Sequence, residues 1–324
     1  MEVASIYKPI QDRLALVEAN LRNLPDIHSS FLSHILRHAF QTVGKRLRPA
    51  ITLLASNFNA HDEHKSEIMA AAVELLHIAT LIHDDTVDNS AIRRGKATIS
   101  SIWGGNAAVL GGDYIFAKSA TFVCDTGDIS VIRRFSETIM ELSSGELQQM
   151  ADAYNYRQTM EQYLERIYNK TASLFMTSGQ SGAILSGASG DIINSLSDYS
   201  YNLGMAFQIV DDILDFMATE EQVGKPVGSD LSHGIMTLPA IIALERYDKE
   251  DNPIKTLFRY PNDQKHLRGA IDMIQNSSVI TDSFNVANNY CNLALQSLKV
   301  LPHTTSKDSL EELVSYVIKD VRDH

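Results

Sequence analysis

The residues of this 324-residue chain best able to do chemistry are six aspartates in two short clusters. The first is His83-Asp84-Asp85-Thr86-Val87-Asp88 and the second is Asp211-Asp212-Ile213-Leu214-Asp215. In each, the first and last aspartates are four residues apart, which on a helix puts both carboxylates on one face with about 5–6 Å between Cβ atoms. Carboxylates so placed repel one another, and near a helix C-terminus they also oppose the macrodipole. A hard divalent cation bound through oxygen offsets that cost directly. One such cluster is commonly no more than a solvated helix end. Here both clusters close apolar stretches, Leu75 to Ile82 and Leu203 to Val210, so the acidic groups are expected at the rim of a cavity, where burial without partners would be costly. Two clusters of this kind in one chain point to metal much more strongly than either alone.

Basic residues stand close by in the sequence. Ile92-Arg93-Arg94-Gly95-Lys96 follows the first cluster, and Gly44-Lys45-Arg46-Leu47-Arg48-Pro49 precedes it. The bland interpretation of both is a solvated, salt-bridged surface. The sharper one is an anion site, with phosphate oxygens held bidentately by guanidinium groups and the basic turn forming a rigid phosphate cradle.

The elements that must position these groups are helical, since apolar residues recur with helical period and no sustained alternation suits half-buried strands. The expected helices are Ile6 to Leu24, Phe31 to Val43, Ala50 to Phe58, Glu67 to Asp88, Gly105 to Val123, Ile129 to Ala153, Thr159 to Leu185 and Ser195 to Phe216, with a structured loop from Ala218 to Gly234. From Thr237 onward the pattern returns to helix, with a polar interruption from Asp248 to Gln264. With no linker, repeat or composition break, the chain reads as one all-α domain over residues 1–324, two helical domains split near residue 190 being the weaker option. A formal charge of −12 argues against a nucleic-acid partner. Two cysteines far apart, Cys124 and Cys291, suit a reducing compartment. The first twenty residues lack the apolar run of a signal peptide, and no run of about 18 apolar residues marks a membrane span. The expectation is a cytoplasmic protein, with transient contact at a membrane surface left open.

Taken in order, these motifs resemble the trans-isoprenyl (polyprenyl) diphosphate synthases. The resemblance rests on Gly44 to Pro49, on Glu74-Leu75-Leu76-His77 through Asp88, on Arg93-Arg94-Gly95, on Lys170-Thr171, on Gly204 through Asp215, and on Gly224-Lys225-Pro226-Val227-Gly228-Ser229-Asp230-Leu231. It implies long, mostly antiparallel helices around a central cavity, the isoprenoid synthase fold. It implies a prenyltransferase that condenses isopentenyl diphosphate with an allylic diphosphate, with farnesyl diphosphate as primer, by ionisation, condensation and elimination. In that scheme Asp84, Asp88 and Asp211 hold two or three magnesium ions, with Asp85, Asp212 and Asp215 as supporting ligands. Arg93, Lys170 and Lys225 neutralise the allylic diphosphate. Lys45, Arg48, His77 and Arg94 bind isopentenyl diphosphate, while Thr171 and Gln208 stabilise the allylic cation through their dipoles. No side-chain nucleophile is required, and none stands out.

One departure is Ile235 in Gly234-Ile235-Met236-Thr237-Leu238-Pro239, where many members of the family carry a lysine. That pattern is similar to the catalytic component of heptaprenyl- and hexaprenyl-type synthases, some of which act with a small regulatory subunit. A dimer is therefore expected, either of identical chains or with such a subunit. Short-chain members place bulky aromatics four or five residues before the first aspartate, where this chain has Thr80 and Ala79. Small residues there open the path for a medium- or long-chain product of six or seven isoprene units, suited to quinone side chains, with Leu76 as a candidate stop. Competing readings are a short-chain synthase, an inactive regulatory subunit, a His-Asp phosphohydrolase, a terpene cyclase and a structural calcium site.

Overall fold

The computed structural model describes residues 3–24, 29–41, 44–60, 62–217, 226–261 and 263–322. Helix dominates, and the only strands among these residues are Ile92–Arg93 and Lys96–Ala97. They pair antiparallel, with Ile92 opposite Ala97. The chain forms two compact units, each assembled from three stretches. The first comprises Met1–Ser136, Thr177–Ser197 and Val300–Glu312; the second comprises Glu137–Met176, Asp198–Lys299 and Leu313–His324.

The first unit is built on the Glu63–Val87 helix, which packs against Gln11–Asn23, Leu47–Ser56 and Gly105–Asp125. Asp62 starts it by accepting the His64 N–H at 3.1 Å, an N-cap worth about 1 kcal/mol. Its small residues Ala70, Ala71 and Ala72 are wholly buried, which lets neighbouring backbones come close. A Cβ on Gly112 would lie 2.4 Å from His83 Nε2, so glycine there is what admits the histidine beside the first aspartate cluster. By length and composition this helix could cross a membrane, but 72% of its most apolar window is buried inside the protein. One stretch of that length and composition therefore exists where none was expected, and it is the core helix of the first unit.

The second unit is organised by Met160–Ile167, by the second half of Gly190–Met217, and by the Leu238–Arg246, Pro253–Arg259, Gln264–Gln275 and Val279–Ser297 helices. Tyr163, Phe175, Tyr199, Ile209, Ile213 and Phe216 are fully buried in it.

Several expected elements differ in detail. The opening helix is broken by a 3-10 turn at Lys8–Ile10, because Pro9 supplies no N–H for the helical ladder. The Leu47–Ser56 helix begins three residues before Ala50, with Pro49 inside its first turn, where a missing N–H costs nothing. The polar stretch after Asp248 contains the Pro253–Arg259 helix, started by Asn252, whose side chain accepts the Ile254 N–H at 2.8 Å.

Candidate functional site

In the first unit the acidic cluster occupies the last turn of the Glu63–Val87 helix, which ends through Asn89 in the left-handed region at φ 52°. Asp84 is half-buried and Asp88 exposed, while Asp85 is buried. The buried carboxylate is paired, because Arg93 Nε donates to Asp85 Oδ1 at 2.6 Å. Thus the first and last aspartates keep solvent access, and the middle one holds Arg93 in place.

Arg93 reaches that position through the hairpin, an element the sequence reading missed. Arg94 and Gly95 both have positive φ, 49° and 75°, the signature of a tight turn of the kind that closes two-residue hairpins. The flanking strands are pinned to the Ser30–Phe40 region by contact of His38 Nε2 with Ala97 O at 2.7 Å and by donation from Lys96 Nζ to Gln41 O at 3.2 Å. A non-glycine residue in this conformation costs about 1 kcal/mol. What the strain secures is an arginine at the tip. Gly95 after two arginines is the one local signal of a turn there.

The Arg94 guanidinium lies over Gly44, where a Cβ would meet its Nη1 at 3.0 Å. The two basic motifs are therefore packed together. Within the Gly44 to Pro49 turn, the arginines divide their work. Arg46, also left-handed at φ 55°, turns inward and is buried, bonded through Nε to Glu18 and through Nη1 to Glu74. It is therefore an anchor, and the three-cation cradle expected from sequence is reduced by one. Lys45 is exposed, and its backbone carbonyl accepts the Tyr7 hydroxyl at 2.8 Å. Arg48 is half-buried, and burial pushes its guanidinium down to about 10, with Glu74 opposing and Arg94 adding to the fall.

His77, half-buried on the same long helix, is held well below the usual histidine range, by burial first and then by Arg48, Arg94, Arg93 and Arg46. Arg94 is lowered in the same way, by burial and then by Arg93. Four guanidinium groups thus bear on one neutral imidazole. Glu74 is the carboxylate that opposes the fall at both Arg48 and Arg94. Such crowding of like charge is unfavourable without an anion and becomes favourable with one. Glu74 was missed as a functional group, although a glutamate inside an alanine-rich apolar run must have a partner.

Toward the N-terminus of this helix, Thr80 lies one turn before Asp84 and is half-buried, its hydroxyl donating to His77 O at 2.8 Å. Ala79 and Leu76 are fully buried. Thr80 and Leu76, at four-residue steps, share the Asp84 face, whereas Ala79 is rotated off it.

In the second unit Lys170 and Thr171 sit in a π-helical turn, Tyr168–Ala172, in which the Ser173 N–H reaches back five residues to Tyr168 O. Two glycines grip this turn: a Cβ on Gly145 would lie 2.9 Å from Lys170 N, and one on Gly204 would lie 2.8 Å from Ala172 Cα. Single π turns inside helices recur at functional sites because they re-aim side chains. Lys170 Nζ pairs with Glu146 Oε1 at 2.7 Å and donates to Gln149 Oε1 at 3.3 Å. The Thr171 hydroxyl donates to Gln208 Oε1 at 2.6 Å, and Gln208 Nε2 donates to Asp212 Oδ1 at 2.8 Å.

Within the second aspartate cluster, Asp211 is exposed and Asp212 buried. Asp212 Oδ2 accepts the Tyr163 hydroxyl at 2.6 Å, so both of its oxygens are engaged within the protein, an arrangement that supports Gln208. Burial raises the Asp212 carboxyl to about 7, with Asp230 adding and the two donors opposing. Asp215 accepts the Ser229 and Asp230 N–H groups at 3.1 and 3.2 Å, fixing the segment that follows Gly228. Ile235 is half-buried, and its N–H bonds Asp230 O at 2.9 Å. Lys225 lies outside the described residues. Among those residues, no group of three or more His, Cys, Asp or Glu side chains converges as a ready-made metal site. The exposed carboxylates offer oxygen donors only, a set that suits a hard cation completed by water and phosphate oxygens.

In the first unit, clustered guanidinium groups and the aspartates that end a helix are the residue types that suit a diphosphate substrate and its metal. Residues 29–274 match the family described as polyprenyl synthetase. The chain is 37% identical to solanesyl-diphosphate synthase 2, chloroplastic, of Oryza sativa subsp. japonica, over 99% of this chain and 80% of that protein. It is 36% identical to heptaprenyl diphosphate synthase component 2 of Geobacillus stearothermophilus, over 98% of this chain and 99% of that one. The crystal structure of polyprenyl synthase from Caulobacter crescentus CB15, complexed with calcium and isoprenyl diphosphate, superposes with a TM-score of 0.92 at 30% identity, covering 98% of this chain and 97% of that one. The chain belongs to the polyprenyl synthetase family, with the isoprenoid synthase fold and the activity of a polyprenyl diphosphate synthase.

Proposed function

We propose that the enzyme condenses isopentenyl diphosphate with farnesyl diphosphate and releases a linear all-trans product of six or seven isoprene units. The observation that carries this reading is the guanidinium cluster around His77. Arg48, Arg94 and Lys45 bind the isopentenyl diphosphate, and the neutral His77 imidazole donates or accepts a hydrogen bond without adding charge. Arg93, held by Asp85, and Lys170, held by Glu146, counter the negative charge that grows on the leaving diphosphate; Lys225 is assigned the same role. Thr171 and Gln208 turn oxygen lone pairs toward the allylic cation. Asp84, Asp88 and Asp211 are the carboxylates that would hold magnesium, and Asp85, Asp212 and Asp215 support them. Bound there, the metal would supply electrostatic stabilisation of the departing diphosphate.

The proton lost in the last step has the diphosphate as acceptor, so no dedicated base is assigned. Thr80 leaves room for chain growth along its helix face and Leu76 limits it, with Ala79 shaping the wall. A partner subunit is proposed because a relative at 36% identity is named as a component. The setting is cytoplasmic, with release of the apolar product at a membrane surface.

The test is incubation of the pure chain with labelled isopentenyl diphosphate, farnesyl diphosphate and Mg²⁺, alone and with a candidate small subunit, followed by sizing of the products. Products of six or seven units are expected, and Thr80→Phe should shorten them. Unchanged products in Thr80→Phe would remove the tunnel assignment. The absence of metal-dependent turnover under both conditions would remove the reading itself.

A further inference from the structure

Beside Thr171 and Gln208 a fully buried tyrosine points its hydroxyl at a buried carboxylate, a contact that the roles of those two residues do not require. Tyr163 has no solvent exposure, and Asp212 is only 4% exposed. The four groups form one hydrogen-bonded chain whose donors all point toward Asp212. Tyr163 donates to Asp212 Oδ2, Gln208 Nε2 donates to Asp212 Oδ1, and Thr171 donates to Gln208 Oε1.

The donor and acceptor roles are linked. With Oδ2 accepting from Tyr163, the other Asp212 oxygen accepts from the NH₂ end of the Gln208 amide, which turns the carbonyl end to Thr171. The Thr171 hydroxyl spends its single proton on that carbonyl and keeps its lone pairs for whatever lies beyond. The direction of every dipole in the chain is therefore set at its buried end. A buried carboxylate with one donor removed would be under-satisfied and free to turn toward other partners, and the amide would lose its orientation.

We infer that Tyr163 is a positioning residue for the prenyl transfer: by fixing Asp212 it orients the Gln208 amide and makes Thr171 an acceptor toward the allylic cation. This rests on the reading that Gln208 and Thr171 serve the cation. Tyr163 touches no substrate, so its contribution belongs to the chemical step and not to substrate affinity.

The experiment is steady-state kinetics with isopentenyl and farnesyl diphosphates for Tyr163→Phe, Gln208→Leu and the double variant, with thermal melts alongside. Tyr163→Phe keeps the ring and removes one hydroxyl. The expected result is a fall in kcat of roughly tenfold or more in each single variant, with both KM values within about twofold and the double variant no slower than Gln208→Leu alone. Wild-type kcat in Tyr163→Phe beside an impaired Gln208→Leu would overturn the inference and leave the reading of Gln208 standing. So would a loss that multiplies in the double variant, or one confined to KM or to the melting temperature. Wild-type kcat in Gln208→Leu would overturn that reading and this inference with it.

Discussion

Arg94 occupies the space that a side chain at residue 44 would need: a Cβ on Gly44 would stand 3.0 Å from Arg94 Nη1. Fifty residues of sequence separate the two, yet glycine at one position sets the guanidinium at the other. Gly44→Ala places its new methyl group against that guanidinium. The flexible Arg94 tip has to move by a few tenths of an ångström. The expected outcome is a several-fold rise in KM for isopentenyl diphosphate, with kcat and the melting temperature nearly unchanged. Kinetics unchanged in both parameters would show that Arg94 does not need this seat.

Two arginines two residues apart should respond in opposite ways. Arg46→Met leaves Glu74 buried without its partner, and breaking a buried pair costs about 3–5 kcal/mol. Arg48→Met removes a charge that burial disfavours, so stability should stay within about 1 kcal/mol, while KM for isopentenyl diphosphate rises at least tenfold. Urea denaturation and steady-state kinetics on the two variants check the contrast. Equal losses of stability would contradict the division of labour between them.

His77 gives a pH signature. Its folded pKa is depressed by burial and by the surrounding arginines, so the unfolded chain binds a proton in a range where the folded protein does not. The stability contributed by the neutral ring is present above the unfolded pKa, about 6.5. It is lost as pH falls below that value toward the folded pKa, at up to about 1.4 kcal/mol per pH unit. His77→Gln should flatten the dependence of stability on pH between 7 and 5. A variant that keeps the full wild-type slope would show that other groups produce it.

Asp88 should trade function against stability. It is exposed at the C-terminus of a 25-residue helix, where negative charge costs about 0.3–1 kcal/mol. Asp88→Asn should raise the melting temperature slightly and lower metal-dependent turnover by about a hundredfold. If both activity and stability fall together, the aspartate is structural.

Much of the candidate site was legible from sequence because its reasons are local. Aspartates four apart, an apolar run before them and arginines after them need only the period of a helix to acquire meaning. Other groups were illegible for an equally physical reason. Arg46 and Arg48 have the same chemistry and almost the same context, and only the distant Glu18 and Glu74 decide that one is an anchor. Tyr163 looks like any aromatic on the buried face of an amphipathic helix until Asp212 is found beside its hydroxyl. The hairpin at Arg94 depends on two residues with positive φ, which composition does not reveal when the first is an arginine.

By itself, then, the sequence determined the helical class and the family, and it named the residue types suited to diphosphate and metal, since these follow from periodicity, spacing and motif order. The tertiary structure decided which carboxylates are buried and which stay open, and which arginine is consumed by the core. It also decided how the π turn between Gly145 and Gly204 aims Lys170 and Thr171. Those outcomes depend on contacts between residues far apart in the chain, and a charge or a dipole acquires its role only from what surrounds it.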